Sequence, residues 1–279
     1  MRTLSLVLTL ALGIAGQASA QTIDRIRETG ELKIGYQTDA APISFANEDG
    51  NAAGYAVLLC VALAQALAQN LQMEDLSVTF RTVTTEDRFD KVASGEIDLL
   101  CGASTITLAS REKVDFSIPT YIDGAIVLLP RNGDPAFEAL DGKKIGVRSN
   151  TTTAAALTNT IANTGITAEE VTFDTHEAGI EALKNGEIDA YFGDQSIIVH
   201  YVLSNELGSE LRLTNNLLTL EKQGLAMARG DTDFRLVVDR ILTAMYNNGF
   251  MERIYKQSLP NQKPGPAMRA LFMIAPETP

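Results

Sequence analysis

Apolar positions along this chain fall into two periodicities that follow one another in the same order twice. Leu32-Lys33-Ile34-Gly35 and Lys144-Ile145-Gly146-Val147 are short apolar runs meeting a glycine, which predicts buried strands. Downstream of each, apolar residues fall on one face of a predicted helix, Phe89 and Val92 in the first copy, Ile180 and Leu183 in the second. Each helix leads into Gly-Glu-Ile-Asp, at Gly95 to Asp98 and again at Gly186 to Asp189. A buried-looking strand follows in both places, Leu99-Leu100-Cys101 or Ala190-Tyr191-Phe192. A strand, a helix and a strand stated twice predict an α/β chain of two similar lobes, and the cleft between lobes is where a small ligand binds.

The rest of the pattern fills in around these units. Ile23 to Thr29 reads as a helix ended by Gly30, and Gly54-Tyr55 opens an apolar helix reaching about Asn70. Ser77 to Thr82 alternates as a strand does, and Ile118 to Leu129 reads as one extended apolar stretch. Pro130-Arg131-Asn132-Gly133 marks the crossing between lobes. Leu213 to Leu220 and Gln223 to Ala228 read as extended, and Asp231 to Ser258 as helices broken at Asn248-Gly249. The proline-rich tail from Pro260 to Pro279 is expected to wrap over the surface. The expected lobes are 21–127 with 224–279, and 128–223, joined by short ordered strands because no Gly/Ser linker intervenes.

Composition narrows the class. A length of 279 residues accommodates two lobes, and 45% hydrophobic with 21% charged residues predicts a folded globule. A net charge of −12 with few aromatics argues against a nucleic-acid partner, which needs a basic footprint. Arg2, the apolar run Leu4 to Ala15 and Ala18-Ser19-Ala20 have the order of a secretory signal peptide, residues 1–20, with cleavage before Gln21 and export expected. The mature chain keeps two cysteines, Cys60 and Cys101, which either pair in an oxidising compartment or stand as separate buried thiols.

Candidate chemistry lies in the loops after the predicted strands, where ligands of doubly wound sheets sit. These loops carry Gln37 and Asp39, Ala103 to Thr107, Arg148 to Thr152, and Asp194. Thr151 and Thr152 precede a helix whose N–H groups favour an anion, while Asp194 offers a carboxylate, so the set suits a zwitterion such as an amino acid. Taken singly, a threonine there is also an ordinary cap and an aspartate an ordinary turn former.

From Ile23 to Leu259 the chain resembles the extracellular solute-binding proteins of polar amino-acid ABC importers. The resemblance rests on Gly54-Tyr55, Gly95-Glu96-Ile97-Asp98, Thr105-Ile106-Thr107, Val114-Asp115-Phe116-Ser117 with Pro119 and Tyr121, Gly142 to Val147, and Asp189-Ala190-Tyr191-Phe192 ahead of Asp194. It implies a periplasmic-binding-protein-like fold of type II, each lobe a doubly wound sheet and the lobes joined by two hinge strands. It also implies a periplasmic monomer without cofactor or metal that closes over an amino acid and delivers it to a membrane permease. By position, Asp194 would hold the ligand α-ammonium, and Thr105, Thr152 and the backbone at Ala103 its α-carboxylate. The clamping arginine of that family falls on Ser110 here, with Arg111 one residue later, and Asn150 stands where glycine is usual. His176 and Arg88 resemble side-chain-binding residues of the glutamate/aspartate branch, and an imidazolium beside a guanidinium would favour an acidic ligand.

Two other functions share these features. An enzyme of dehydratase type could use His176, Asp194 and Thr107 as acid and base, although no nucleophile–base–orienter spacing or metal cluster is evident. A sensor that presents its ligand to a membrane receptor would use the same closed state. His200, in an apolar helical stretch beside Tyr201, reads as structural.

Overall fold

The structure is a computed structural model that describes residues 22–214, 217–260 and 262–276; the expected signal segment lies outside these. Two five-stranded sheets organise it. In the first, the order is Ser77–Val83, Glu31–Gln37, Leu99–Leu100, Ala226–Ala228, Val114–Phe116. In the second, it is Glu169–Phe173, Lys144–Arg148, Ala190–Asp194, Ala125–Pro130, Leu211–Leu213. Each sheet places its glycine-bearing strand second, between two parallel neighbours, and an antiparallel strand fourth. The doubled sequence pattern is thus a doubled topology.

The repeated tetrapeptide has a local physical cause. The Asp98 N–H donates to the Lys33 carbonyl at 2.8 Å while its carboxylate accepts the Lys33 N–H at 2.7 Å. Asp189 makes the same clamp on Lys144, at 2.8 and 2.9 Å. The isoleucines pack on the strand glycines: a Cβ on Gly35 would stand 2.3 Å from Ile97 Cδ1, and one on Gly146 2.4 Å from Ile188 Cδ1. Gly95 and Gly186 end the preceding helices at φ of 74° and 73°, a conformation glycine adopts without strain.

The chain crosses between sheets twice, in Tyr121–Asp123 and Glu221–Gln223, which pair antiparallel with Asp123 opposite Glu221. The fold is therefore the two-lobed type II arrangement with two connecting strands. The stretch Ile118 to Leu129 is not one strand but two, divided at Gly124, and Ala125–Pro130 pairs along the second sheet. Gln223 to Ala228 divides likewise, at Gly224 and Leu225.

The helix Tyr55–Asn70 packs against the first sheet, its Leu59, Leu63 and Leu67 having no exposed surface. Cys60 of that helix is disulfide-bonded to Cys101, at a Cα–Cα distance of 6.4 Å. The proline-rich tail packs on the first lobe through the helix Pro266–Ile274, with Pro266 at its start and Met268 and Leu271 buried. Proline at the first helical position gives up no intrahelical hydrogen bond, so its presence did not exclude a helix. Among the described residues, no helix is long and apolar enough to cross a membrane.

Candidate functional site

The carboxyl ends of four central strands, two from each sheet, point at one cavity between the lobes. Its wall includes Gln37 and Ala103 from the first lobe, Arg148, Phe192 and Asp194 from the second, and threonines 105, 151, 152 and 153. The cavity is small, about 60 Å³.

Two guanidinium groups stand on this wall. Arg88 begins the helix Arg88–Ala93 and donates to the Thr85 carbonyl at 2.8 Å and, across the gap, to the Asn150 carbonyl at 3.4 Å. Burial, and then the neighbouring Arg148, lower its pKa to about 10. Arg148 ends its strand and is paired with Asp39 of the other lobe. The Nε atoms of both arginines are buried and lack a hydrogen-bond partner among the described residues. An unpaired buried donor is costly, so these atoms favour an acceptor arriving with a ligand.

Asp194 ends the strand Ala190–Asp194 and accepts the Thr153 hydroxyl at 2.9 Å. Burial, followed by repulsion from Asp123 and Glu221, raises its pKa to about 7. A nearby cation would reverse that shift. Asp123 is raised for the same first reason, burial, although Ser196 and the Gly124 N–H bond to it. Glu221 is buried and accepts Thr105 Oγ1 at 2.6 Å and Thr152 Oγ1 at 2.7 Å on one carboxylate oxygen, and Thr219 at 2.8 Å on the other.

Of the residues singled out from sequence, Gln37, Arg88, Ala103, Thr105, Thr151, Thr152, His176 and Asp194 line the cavity together. Their roles differ in part from expectation. Gln37 uses its Oε1 to accept the Ala103 N–H at 2.8 Å, so it holds the loop and occupies a backbone donor expected to face a carboxylate. Thr151 is the N-cap of Thr152–Thr164, accepting from Ala154 and donating to the Arg148 carbonyl. His176 is no imidazolium: burial, then Arg148, push its pKa down to about 3, and its Nδ1 is 3.0 Å from the Tyr191 hydroxyl. Arg111 is exposed on the helix Leu108–Lys113, and Ser110, bonded to Thr107, lines the cavity instead. A one-residue shift on a helix rotates a side chain by about 100°, which no small loop adjustment recovers.

Sequence reasoning named Arg148 only as the start of a candidate loop, without a role of its own, and did not select Thr153 or Glu221. A charged residue closing a strand was the available signal for Arg148. Nothing local marks Glu221, whose position depends on strand pairing with residues distant in sequence.

This geometry meets an independent finding. Residues 32–261 match the model of the bacterial extracellular solute-binding proteins, family 3, and the chain belongs to that family. It is 24% identical over 258 residues to the L-glutamate/L-aspartate-binding protein of Pseudomonas aeruginosa, covering 92% of this chain and 85% of that protein. It is 23% identical over 257 residues to the L-cystine-binding protein TcyJ of Escherichia coli, covering 91% and 92%. A solved ancestral amino acid-binding protein, a precursor of cyclohexadienyl dehydratase, superposes with a TM-score of 0.74 at 25% identity, covering 85% of this chain and 98% of that one.

Proposed function

We propose that the protein is an exported, periplasmic binding protein that closes over an acidic amino acid and delivers it to an ABC importer. The observation that carries this reading is the pair of opposite charges on one cavity wall. Among the described residues Arg88 and Arg148 each keep a buried Nε without a partner, while Asp194 is a buried carboxyl whose pKa is raised to about 7 by burial first, despite the charge of Arg148. Two carboxylates and one ammonium on the same small molecule complement that set. Neutral His176 adds a hydrogen-bonding group without further charge. The similarity to a glutamate/aspartate binder supports the acidic class; the cystine binder is nearly as similar, and the two arginines on the cavity wall are what favours the acidic reading.

The lobe boundaries are best placed at Tyr121–Asp123 and Glu221–Gln223, a few residues before the 127/128 division read from sequence. That pair is the natural hinge, because both crossings of the chain lie side by side there.

A thermal-shift screen over the twenty amino acids and small organic acids tests the reading, since a ligand that binds only the folded form raises the melting point. Aspartate or glutamate should give the largest rise and be recovered unchanged. A response confined to neutral or basic amino acids would overturn the acidic assignment, and conversion of the ligand would overturn binding as the function.

A further inference from the structure

Four threonine hydroxyls on the cavity wall have no proton left for a ligand. Thr105 and Thr152 come from different lobes, and their Oγ1 atoms stand 3.3 Å apart. Both are closer to a single carboxylate oxygen of Glu221, at 2.6 and 2.7 Å. A hydroxyl has one proton, and a carboxylate oxygen at these distances is a stronger acceptor than a second hydroxyl 3.3 Å away. The protons therefore go to Glu221, and the oxygens can only accept from the cavity. Thr153 likewise commits its proton to Asp194, and Thr151 to the Arg148 carbonyl.

We infer that Glu221 is a specificity-determining residue: by taking the protons of Thr105 and Thr152 it turns those hydroxyls into acceptors, so they receive the ligand's ammonium and exclude a carboxylate. The inference deepens the proposed function and rests on it. It reverses the role that the family resemblance implies for these two threonines. The ligand carboxylates are left to Arg88 and Arg148. Glu221 does this from a connecting strand, so the polarity of the site is set where the lobes join. Thr219 on its other oxygen fixes the carboxylate in place.

The test compares each amino acid with its des-amino counterpart by calorimetry, using L-glutamate with glutarate and L-glutamine with glutaramate. Glu221→Leu removes the acceptor and returns both hydroxyl protons to the cavity. Thr152→Val removes one hydroxyl with little change of shape, and since Thr151 is the helix cap it leaves the cap intact. In each variant the preference for the amino acid over its des-amino counterpart should fall by about tenfold or more, through weaker amino-acid binding. If Thr152→Val weakens both members of a pair equally, or neither, the hydroxyl is not an ammonium acceptor and the inference fails. That variant also serves should Glu221→Leu not fold, which its melting curve reports. Loss of preference seen only with the glutamine pair would retain the inference and overturn the acidic ligand. Failure of the unaltered protein to bind either amino acid would overturn both.

Discussion

Arg148, closing a strand of the second sheet, is ion-paired at 2.7 Å with Asp39, just beyond the first strand of the opposite lobe. Their side chains are 6% and 27% exposed, so the pair is partly withdrawn from solvent screening. The same guanidinium lines the ligand cavity, which makes Arg148 a tie between lobes as well as a candidate anion contact. A double-mutant cycle with Asp39→Ala and Arg148→Ala should show a coupling of about 1–3 kcal/mol in denaturant unfolding. A coupling near zero would mean that the contact contributes nothing to holding the lobes together.

Asp194 should make both stability and binding depend on pH. Its folded carboxyl titrates near 7, above the roughly 3.9 of an unfolded aspartate. Between these values the native state keeps a proton that the unfolded chain releases. The ligand-free protein therefore loses stability as pH rises through that window, the reverse of the usual salt-bridged carboxylate. An ammonium beside Asp194 favours the ionised form, so binding expels the proton and affinity grows with pH up to about 7. Calorimetry at pH 6 in buffers of different ionisation heat should detect release of about one proton per ligand. Asp194→Asn should abolish that release and weaken binding by about a hundredfold or more; unchanged affinity would remove Asp194 from the site.

The parts of this molecule legible in its sequence are those held by short-range geometry. The two Gly-Glu-Ile-Asp segments could be recognised because each aspartate clamps a lysine backbone in the adjacent strand and each isoleucine packs on that strand's glycine. Strand ends marked the cavity for the same reason, since loops after parallel strands converge on one side of a sheet. What stayed hidden depends on rotation or on distant pairing. Ser110 and Arg111 differ by one position, and only the helix phase decides which faces the cavity. Glu221 reaches Thr105 because the strand 221–223 also bridges to the loop at Thr105, the Ile106 N–H donating to the Lys222 carbonyl at 2.8 Å. The protonation of His176 also depends on tertiary burial, which sequence spacing does not encode.

The Cys60–Cys101 bridge settles which of the two cysteine states the fold takes, and it links the apolar helix to the end of a central strand. A sequence separation of 41 residues corresponds to about 4 kcal/mol of lost unfolded-state entropy in the chain-entropy account. Replacing both cysteines by serine should lower unfolding free energy by roughly that amount, read from urea denaturation with and without reductant. Reductant should then shift the unaltered protein and leave the double variant unmoved. Equal stability of the two proteins would show that the bridge is not a stabilising element.

Crowding at the two strand glycines predicts a difference between lobes. In Gly35→Ala the new Cβ would sit 2.3 Å from Ile97 Cδ1, with Val83 the next neighbour at 3.2 Å. In Gly146→Ala it would meet Ile188 Cδ1 at 2.4 Å and also the rings of Phe173 and Tyr191, each at 3.0 Å. Either change overpacks a filled core and should cost about 1–3 kcal/mol. Ile→Val deletes the one carbon that makes the shortest contact. Ile97→Val should therefore restore most of the stability lost in Gly35→Ala, because little else crowds that site. Ile188→Val should restore less in Gly146→Ala, because the aromatic rings cannot retreat as a methyl can. Thermal melts of the four variants decide the matter. Equal rescue in both lobes would show that the isoleucine methyl alone sets the requirement for glycine.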